Sequence, residues 1–292
     1  MNAPSWDLYR TFDAVLRTGS LSGAARLLGL TQPSISRHID ALEQAIGRDL
    51  FVRTQRGVSP TASALELKPY AALLASTSAA LLRTAEGSDG VIGGTVRISA
   101  SEVVSAEHLP EILARLRQRH PALAFEISAS NSVDDLLQRQ ADVAIRMIQP
   151  VQQSLVIRKM PSIPLGLYAH ADYLARRGVP ETLQELADHD VIGFDTETPA
   201  IRAFAEQFPA FNRSSFALRV DSDLAQLAAI RACFGIGICQ VPVAARDRNL
   251  VRILADCFVI DLNVWIVMHE DLSRSPRCRT VFDALVAEFS AL

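Results

Sequence analysis

Cysteine is scarce in this chain of 292 residues: there are four, Cys233, Cys239, Cys257 and Cys278. None are spaced C-x-x-C and no histidine pattern lies beside them, which excludes a disulfide scaffold and a zinc-finger-like ligand set. They are expected to be reduced, partly buried thiols in a cytoplasmic protein, with no metal site and no cofactor. Long apolar runs are missing too. None approaches the ~18 residues of a membrane span, and Asp7 and Arg10 stand where an export signal would be apolar, so neither membrane nor secretion is expected. Patterns for catalysis are equally thin. No G-x-S-x-G or zinc-ligand pattern occurs. The nearest approach to a nucleotide loop, FGIGICQVP, has Gly235 and Gly237 but no third glycine opening a helix. An enzyme is not expected.

Net charge is also small, −3, and by itself announces no polyanionic partner. Its distribution is more telling. Residues 1–60 hold seven arginines against five acidic residues, a net of +2, which leaves −5 on the remainder. DNA affinity would then rest on a local patch and on pairing heads in an oligomer. A chain of this length divides into two or three units.

Within the basic head, residues 20–47 read SLSGAARLLGLTQPSISRHIDALEQAIG. Ser20 is a good N-cap for a short helix whose apolar side holds Ala24, Ala25, Leu27 and Leu28. Gly29 suits the left-handed conformation that ends it. Thr31 caps a second helix, with Pro33 tolerated in the first turn because the N–H it lacks has no partner there. Ile35, Ile39, Leu42 and Ile46 form the buried stripe and leave Gln32, Ser34, Ser36 and Arg37 on the exposed tip. A helix-turn-helix offers such a tip to the major groove; a plain αα-hairpin with a solvated polar end is the other reading. Trp6, Leu8, Phe12, Val15 and Leu16 predict a preceding helix. DLFVRTQRGVSPT after the motif predicts a wing in which Arg53 and Arg56 lie along phosphates, or are simply solvated.

From Thr61 to Thr84 the sequence turns Ala- and Leu-rich, with Leu65, Leu67, Ala72, Leu73, Leu74, Leu81 and Leu82 on a wide apolar face. About 24 residues at ~1.5 Å each give a helix of ~36 Å, bent or broken at Pro69. It packs on its own chain or on the same helix of a second subunit. A glycine-rich hinge follows at 86–94. Strands and helices then alternate: strand 95–101, helix 106–120, strand 124–130, helix 132–140, strand 142–147. The rhythm restarts at 164–170, with a helix at 183–186, strands at 191–195 and 216–220, a helix at 224–232, strands at 236–241 and 263–268, and a closing helix at 277–290. That rhythm predicts right-handed crossovers and a parallel sheet.

GSLSGAARLLGLTQPSISRHIDALEQAIGRDLF, with Arg53 and Thr61, resembles the winged helix-turn-helix of the LysR-type transcriptional regulators. Ala64 stands where that family usually has glycine and favours a clean helix start. VRIS, LPEILARLRQRHPALAFEI, DVAIR, AIRACFGIGICQVP and HEDLSRSPRCRTVFDAL resemble the family's effector domain, so the likeness spans essentially the whole chain. The resemblance implies a multidomain fold. A winged helix-turn-helix DNA-binding domain takes 1–60, a linker and dimerisation helix with hinge 61–91, and two α/β lobes of periplasmic-binding-protein type 92–292. Lobe one would be 92–162 with 266–292 and lobe two 163–265. It also implies a cytoplasmic homodimer or homotetramer on an inverted-repeat operator in double-stranded DNA, answering a small-molecule effector and addressing RNA polymerase. The DNA contacts would fall to Ser20, Thr31, Gln32, Pro33, Ser34, Ser36, Arg37, Arg53 and Arg56. An effector between the lobes would meet the residues just after the strands: Ser101, Glu102, Ser130, Asn131, Arg146, Asp195, Thr196, Asp221 and Ser222. Arg146 suits an effector carboxylate or a bridge to Glu102 or Asp195. Asp221 and Ser222 also fit a helix cap. The acid crowded there points to a zwitterionic or a neutral polar effector. A stand-alone solute-binding protein would explain the lobes but leave the first 90 residues without a role.

Overall fold

A computed structural model describes residues 4–54, 57–85, 92–131, 141–150 and 155–292. These fall into two compact units, one of Met1–Gly90 with Ser132–Asp142, the other of Val91–Asn131 and Val143–Leu292. The helix expected at 132–140 and the side chains of Arg53 and Arg56 lie outside the described residues. No helix among the described residues is long and apolar enough to cross a membrane.

The N-terminal unit is three short helices, a two-stranded wing and a long helix. Helix α1 (Trp6–Thr18), α2 (Leu21–Leu28) and α3 (Gln32–Ile46) enclose Phe12, Val15, Ala24, Ile35, Ile39 and Leu42. Strands β1 (Phe51–Thr54) and β2 (Gly57–Pro60) pair antiparallel. Helix α4 (Ala62–Ala85) starts on Thr61, whose hydroxyl accepts the Ala64 N–H. Ala64 is fully buried against the helical core, so a β-carbon there is packed rather than merely tolerated. The helix is unbroken through Pro69.

The C-terminal unit is organised by one mixed sheet. Strand β3 (Gly94–Ala100) pairs in parallel with β4 (Leu123–Ala129) and β5 (Val143–Arg146). Two long antiparallel strands, β6 (Leu155–His170) and β11 (Ile260–His269), complete its centre. The wholly parallel sheet expected from the alternation is therefore corrected: β11 returns against β5 and runs antiparallel to it. The strand expected at 164–170 begins at Leu155, because its first half is covered by β11.

Strand β6 belongs to two cores. Met160 and Ile163 pack with Val96, Ile98, Leu113 and Phe282, where the closing helix (Pro276–Phe289) covers one lobe. Leu167 and Ala169 pack with Tyr173, Ile236 and Phe258 in the other. The second lobe adds α6 (Ala171–Arg177), β7 (Val191–Gly193), α7 (Pro199–Gln207), β8 (Phe216–Arg219), α8 (Asp223–Arg231), β9 (Gly237–Gln240), α9 (Val241–Ala244) and β10 (Leu250–Ile253). Strands β9 and β10 pair antiparallel with β6, whereas β7 and β8 form a separate parallel pair. Gly235 and Gly237 have packing duties. A β-carbon on Gly235 would lie 1.9 Å from the Asp190 carbonyl oxygen, and one on Gly237 2.8 Å from Ile230 Cδ1. Close backbone approach, and no phosphate, accounts for both glycines.

Candidate DNA-reading tip and interlobe cleft

The tip of α3 is built by caps. Ser20 Oγ accepts the Gly23 N–H at 3.0 Å and Thr31 Oγ1 the Ser34 N–H at 3.4 Å, each filling one of the donors a helix start leaves open. Gly29 ends α2 at φ +66°, so α3 can leave at once in a new direction. With Ile35, Ile39 and Leu42 buried, Gln32, Pro33 and Arg37 are exposed while Ser34 and Ser36 are half-buried. Thr31 Oγ1 and Ser34 Oγ are 2.9 Å apart, and Arg37 Nη2 donates to Ser34 Oγ over 3.4 Å. Thr31 and Ser34 are thus engaged in the cap, and Ser34 also orients the one cation of the tip. Ser20, Gln32, Pro33 and Ser36 line an open concavity of 440 Å³ with Leu21, Ser22, Gly57 and Val58 of the α2 start and the wing. Four residues predicted from sequence share one face.

The wing is tied down by a residue that sequence reasoning missed. Glu43 Oε1 accepts the N–H groups of Leu50 (2.7 Å) and Phe51 (3.1 Å). A carboxylate one residue past the buried Leu42 reads as solvated surface; only the chain reversal brings β1 to it. On the opposite side His38 Nδ1 lies 2.8 Å from Thr11 Oγ1, which itself donates to the Asp7 carbonyl. The ring must therefore be the donor, and the bond pins α3 to α1.

In the C-terminal unit, residues from both lobes meet in one hydrogen-bonded cluster. The Glu102 N–H donates to Asn131 Oδ1 (3.0 Å), and Asn131 Nδ2 donates to Asp223 Oδ2 (2.7 Å). Ser222 Oγ donates to Glu102 Oε2 (2.7 Å) and also caps α8 by accepting the Ala225 N–H. Burial and the nearby Glu102 carboxylate hold Asp223 above the ordinary carboxylate range, against the pull of the Asn131 amide. Asp223 was not among the predicted residues, although it adjoins Ser222. Asp221 is no cap. Its carboxylate accepts the N–H groups of Asp195 and Thr196 and the Thr196 hydroxyl, bonds that hold it below its ordinary pKa. Arg213, also unpredicted, donates to Asp195 Oδ1 at 2.6 Å.

Arg146 is buried and donates to Ser99 Oγ at 3.0 Å rather than bridging to Glu102 or Asp195. The register explains this: β5 lies beside β3, and Ser99 faces Ala144, two residues before Arg146 on the same strand. Ser101 and Ser130 flank the same strand ends, where the Ser130 N–H donates to the Ala100 carbonyl. The structure thus joins Glu102, Asn131 and Ser222 directly, gathers Asp195, Thr196 and Asp221 into a second knot, and sets Arg146 on the strand beside Ser99.

Behind this cleft a π-helical turn (Val104–His108) leads into α5 (Leu109–Arg119). Glu107 on it takes two bonds from Arg231 at the end of α8, at 2.8 and 3.2 Å. His108 Nε2 meets Gln240 Oε1 at 2.9 Å with both residues buried, and burial keeps His108 below the ordinary histidine range.

Comparison with known proteins agrees with this architecture. Residues 6–65 match the bacterial regulatory helix-turn-helix proteins of the lysR family, and residues 89–290 match the LysR substrate binding domain. The HTH-type transcriptional regulator CrgA of Neisseria meningitidis is 26% identical over 194 residues, covering 66% of this chain and 64% of CrgA. The aligned chain thus spans just under two thirds of that relative's length. The transcriptional activator TtdR of Escherichia coli K12 is 24% identical over 97% of this chain and 94% of its own. The solved structure of CrgA superposes over 99% of both chains, with a TM-score of 0.59 at 22% identity. Full-length CbnR, solved with its target DNA, covers 97% of this chain and 99% of its own, with a TM-score of 0.61 at 19% identity. The chain belongs to the LysR family of helix-turn-helix regulators.

Proposed function

We propose that this protein is a sequence-specific, DNA-binding transcriptional regulator whose DNA affinity is set by a small polar molecule held between its C-terminal lobes. The observation that carries the reading is the tip of α3. Gln32, Pro33, Ser36 and Arg37 stand outward on a helix whose other face is fully packed, beside a wing docked by Glu43. CbnR, of the same fold, is solved with its target DNA. Gln32 and Arg37 read base edges, Pro33 offers an apolar surface to a thymine methyl, and Ser36 takes an adjacent phosphate. Ser20, Thr31 and Ser34 chiefly hold that geometry, and Arg53 and Arg56 of the wing hold backbone.

The acting species is a homodimer or homotetramer in the cytoplasm. Tyr70, Leu74 and Leu81 of α4 are exposed and lie on one side of the helix, a row of large apolar side chains that a second α4 would cover. Two heads then read an inverted repeat at a promoter, within reach of RNA polymerase. The effector carries an anionic group for Arg146 and a polar or cationic group for the Glu102, Asn131 and Ser222 side. Asp195, Thr196 and Asp221 form the rim, with Ser101 and Ser130 at the strand ends. It works as a ligand, without catalysis, by binding one lobe arrangement better than another.

Selection of bound duplexes from a random-sequence pool tests this. An inverted repeat with half-sites about one helical turn apart is the expected product. Arg37→Ala is expected to cost ~1–3 kcal/mol on the selected site and to relax one base position. Unchanged affinity and footprint would remove Arg37 from base reading.

A further inference from the structure

We propose that lobe two carries a binding site for a thiophilic divalent cation such as Zn2+, formed by His170, Asp172 and Cys233. The ligand atoms of these three residues all lie within 4.8 Å of one another. Their sequence positions conceal this. His170 ends β6 and Asp172 opens α6, whereas Cys233 follows α8, so only the fold joins them.

Three features favour a ligand role. First, His170 Nδ1 and Asp172 Oδ2 are 3.6 Å apart, close to the ~3.4 Å edge of a tetrahedron with metal bonds of ~2.0–2.2 Å. The Nδ1 lone pair meanwhile accepts the Asp172 N–H, at 3.1 Å, in an exposed bond that water can replace. Second, the Asp172 side chain is 76% exposed and has room to adjust toward a metal, while His170 is only 13% exposed and held. Third, Cys233 is one of two non-glycine residues among those described with positive φ, at +61°. Glycine or asparagine normally fills that position after a helix, and an L side chain kept there is a reason to ask what the side chain does. Its N–H donates to the Ile230 carbonyl and its own carbonyl accepts from Arg176 Nη2 at 3.2 Å, so the turn that aims the thiol is fastened at both ends.

A second dyad of the same kind occurs in this chain. His269 and Asp271 repeat the arrangement at the end of β11, with the ring capping the next turn and Nδ1 3.1 Å from Asp271 Oδ2. No thiol completes that cluster among the described residues. The His-x-Asp pair alone is thus a helix-capping device, and Cys233 turns one of the two into a nitrogen, sulfur and oxygen ligand set. Such a set suits Zn2+ or Co2+ better than Mg2+ or Ca2+, which take oxygen. On binding, the Cys233 thiol releases its proton to solvent and the sulfur donates its pair to the metal; a water fills the fourth position. Loaded, the site fastens the end of β6 to the end of α8, the helix whose first residues stand in the effector cleft.

The test is a Co2+ titration of the full-length, reduced, metal-stripped protein, followed by its thiolate-to-cobalt absorption in the near ultraviolet. One equivalent per chain, with the band bleached by added Zn2+, is expected. Cys233→Gly suits the left-handed turn and is expected to abolish the band. His170→Asn, which can still cap α6, is expected to weaken binding at least tenfold. His269→Asn is expected to change nothing. A missing band in the parent protein, a band that survives Cys233→Gly, or equal affinity in His170→Asn would each overturn the site.

Discussion

Asp223 and Asp221 are separated by one residue and are shifted in opposite directions, which makes environment rather than residue type the cause. Asp221 accepts three bonds from Asp195 and Thr196 and keeps its charge easily, whereas Asp223 is half-buried beside Glu102 with one amide donor. A carboxyl that holds its proton more tightly folded than unfolded stabilises the fold where it is protonated. That stability is present below the ordinary carboxylate value of about 4 and declines as pH rises through the raised folded value. Asp223→Asn keeps an acceptor and a similar shape for Asn131 and carries no charge. Its urea midpoint is expected to exceed that of the parent at pH 7, with the gain shrinking toward pH 4. A midpoint lower than the parent's at pH 7 would mean that the Asp223 charge is used by the fold, and the burial argument would fail.

The wing is where an element depends on a single side chain. Glu43 supplies the acceptor for two consecutive N–H groups at the entry to β1, while Thr61 Oγ1 donates to the Asp49 carbonyl at the exit of the hairpin. Removing Glu43 orphans two part-buried donors at about 1 kcal/mol or more each. Glu43→Ala is therefore expected to lower stability by about 1–3 kcal/mol by chemical denaturation, and to weaken binding to specific and non-specific DNA alike, since the wing holds backbone. A loss confined to the specific site would place Glu43 in base reading instead. The same element shows what the sequence could and could not reveal. Ser20, Gly29, Thr31 and Pro33 announce caps and turns through local chemistry alone, so α2 and α3 were legible to within a residue. The lobes were less so. Helices α6 and α7 and strand β10 are short and lack a strong period, and β6 was seen only in its second half, since its first half is covered by β11 from the far end of the chain. The cleft fared similarly. Ser222 and Glu102 follow from lying after strands, whereas Arg213, Asp223 and the pairing of Arg146 with Ser99 depend on tertiary neighbours.

On the scale of the whole effector unit, two lobes joined by β6 and β11 are also pinned on two sides of α8. At its start lie the Ser222–Glu102 and Asn131–Asp223 bonds, and at its end the Glu107–Arg231 pair, while the His108–Gln240 bond ties the neighbouring end of β9 to the same π-helical turn. A helix held at both ends by the other lobe is the element through which an effector in the cleft can bias lobe arrangement, because any change of angle must break one set of bonds before the other. The π-helical turn that presents Glu107 and His108 is a costly conformation, of a kind frequent at functional sites. Glu107→Ala removes the two bonds from Arg231 and leaves Arg246 on the Glu107 carbonyl. Because the Arg231 side chain is 37% exposed, screening limits the loss to about 1 kcal/mol, which corresponds to roughly a fivefold shift in the lobe equilibrium. Hydrogen exchange on the full-length protein reads this directly. Amides of 223–231 and of 104–108 are expected to exchange faster together, by a few fold, if the pair holds the lobes as one body. Acceleration confined to the last turn of α8 would make Glu107–Arg231 a local contact and leave the bonds at the cleft mouth as the tether that an effector must work against.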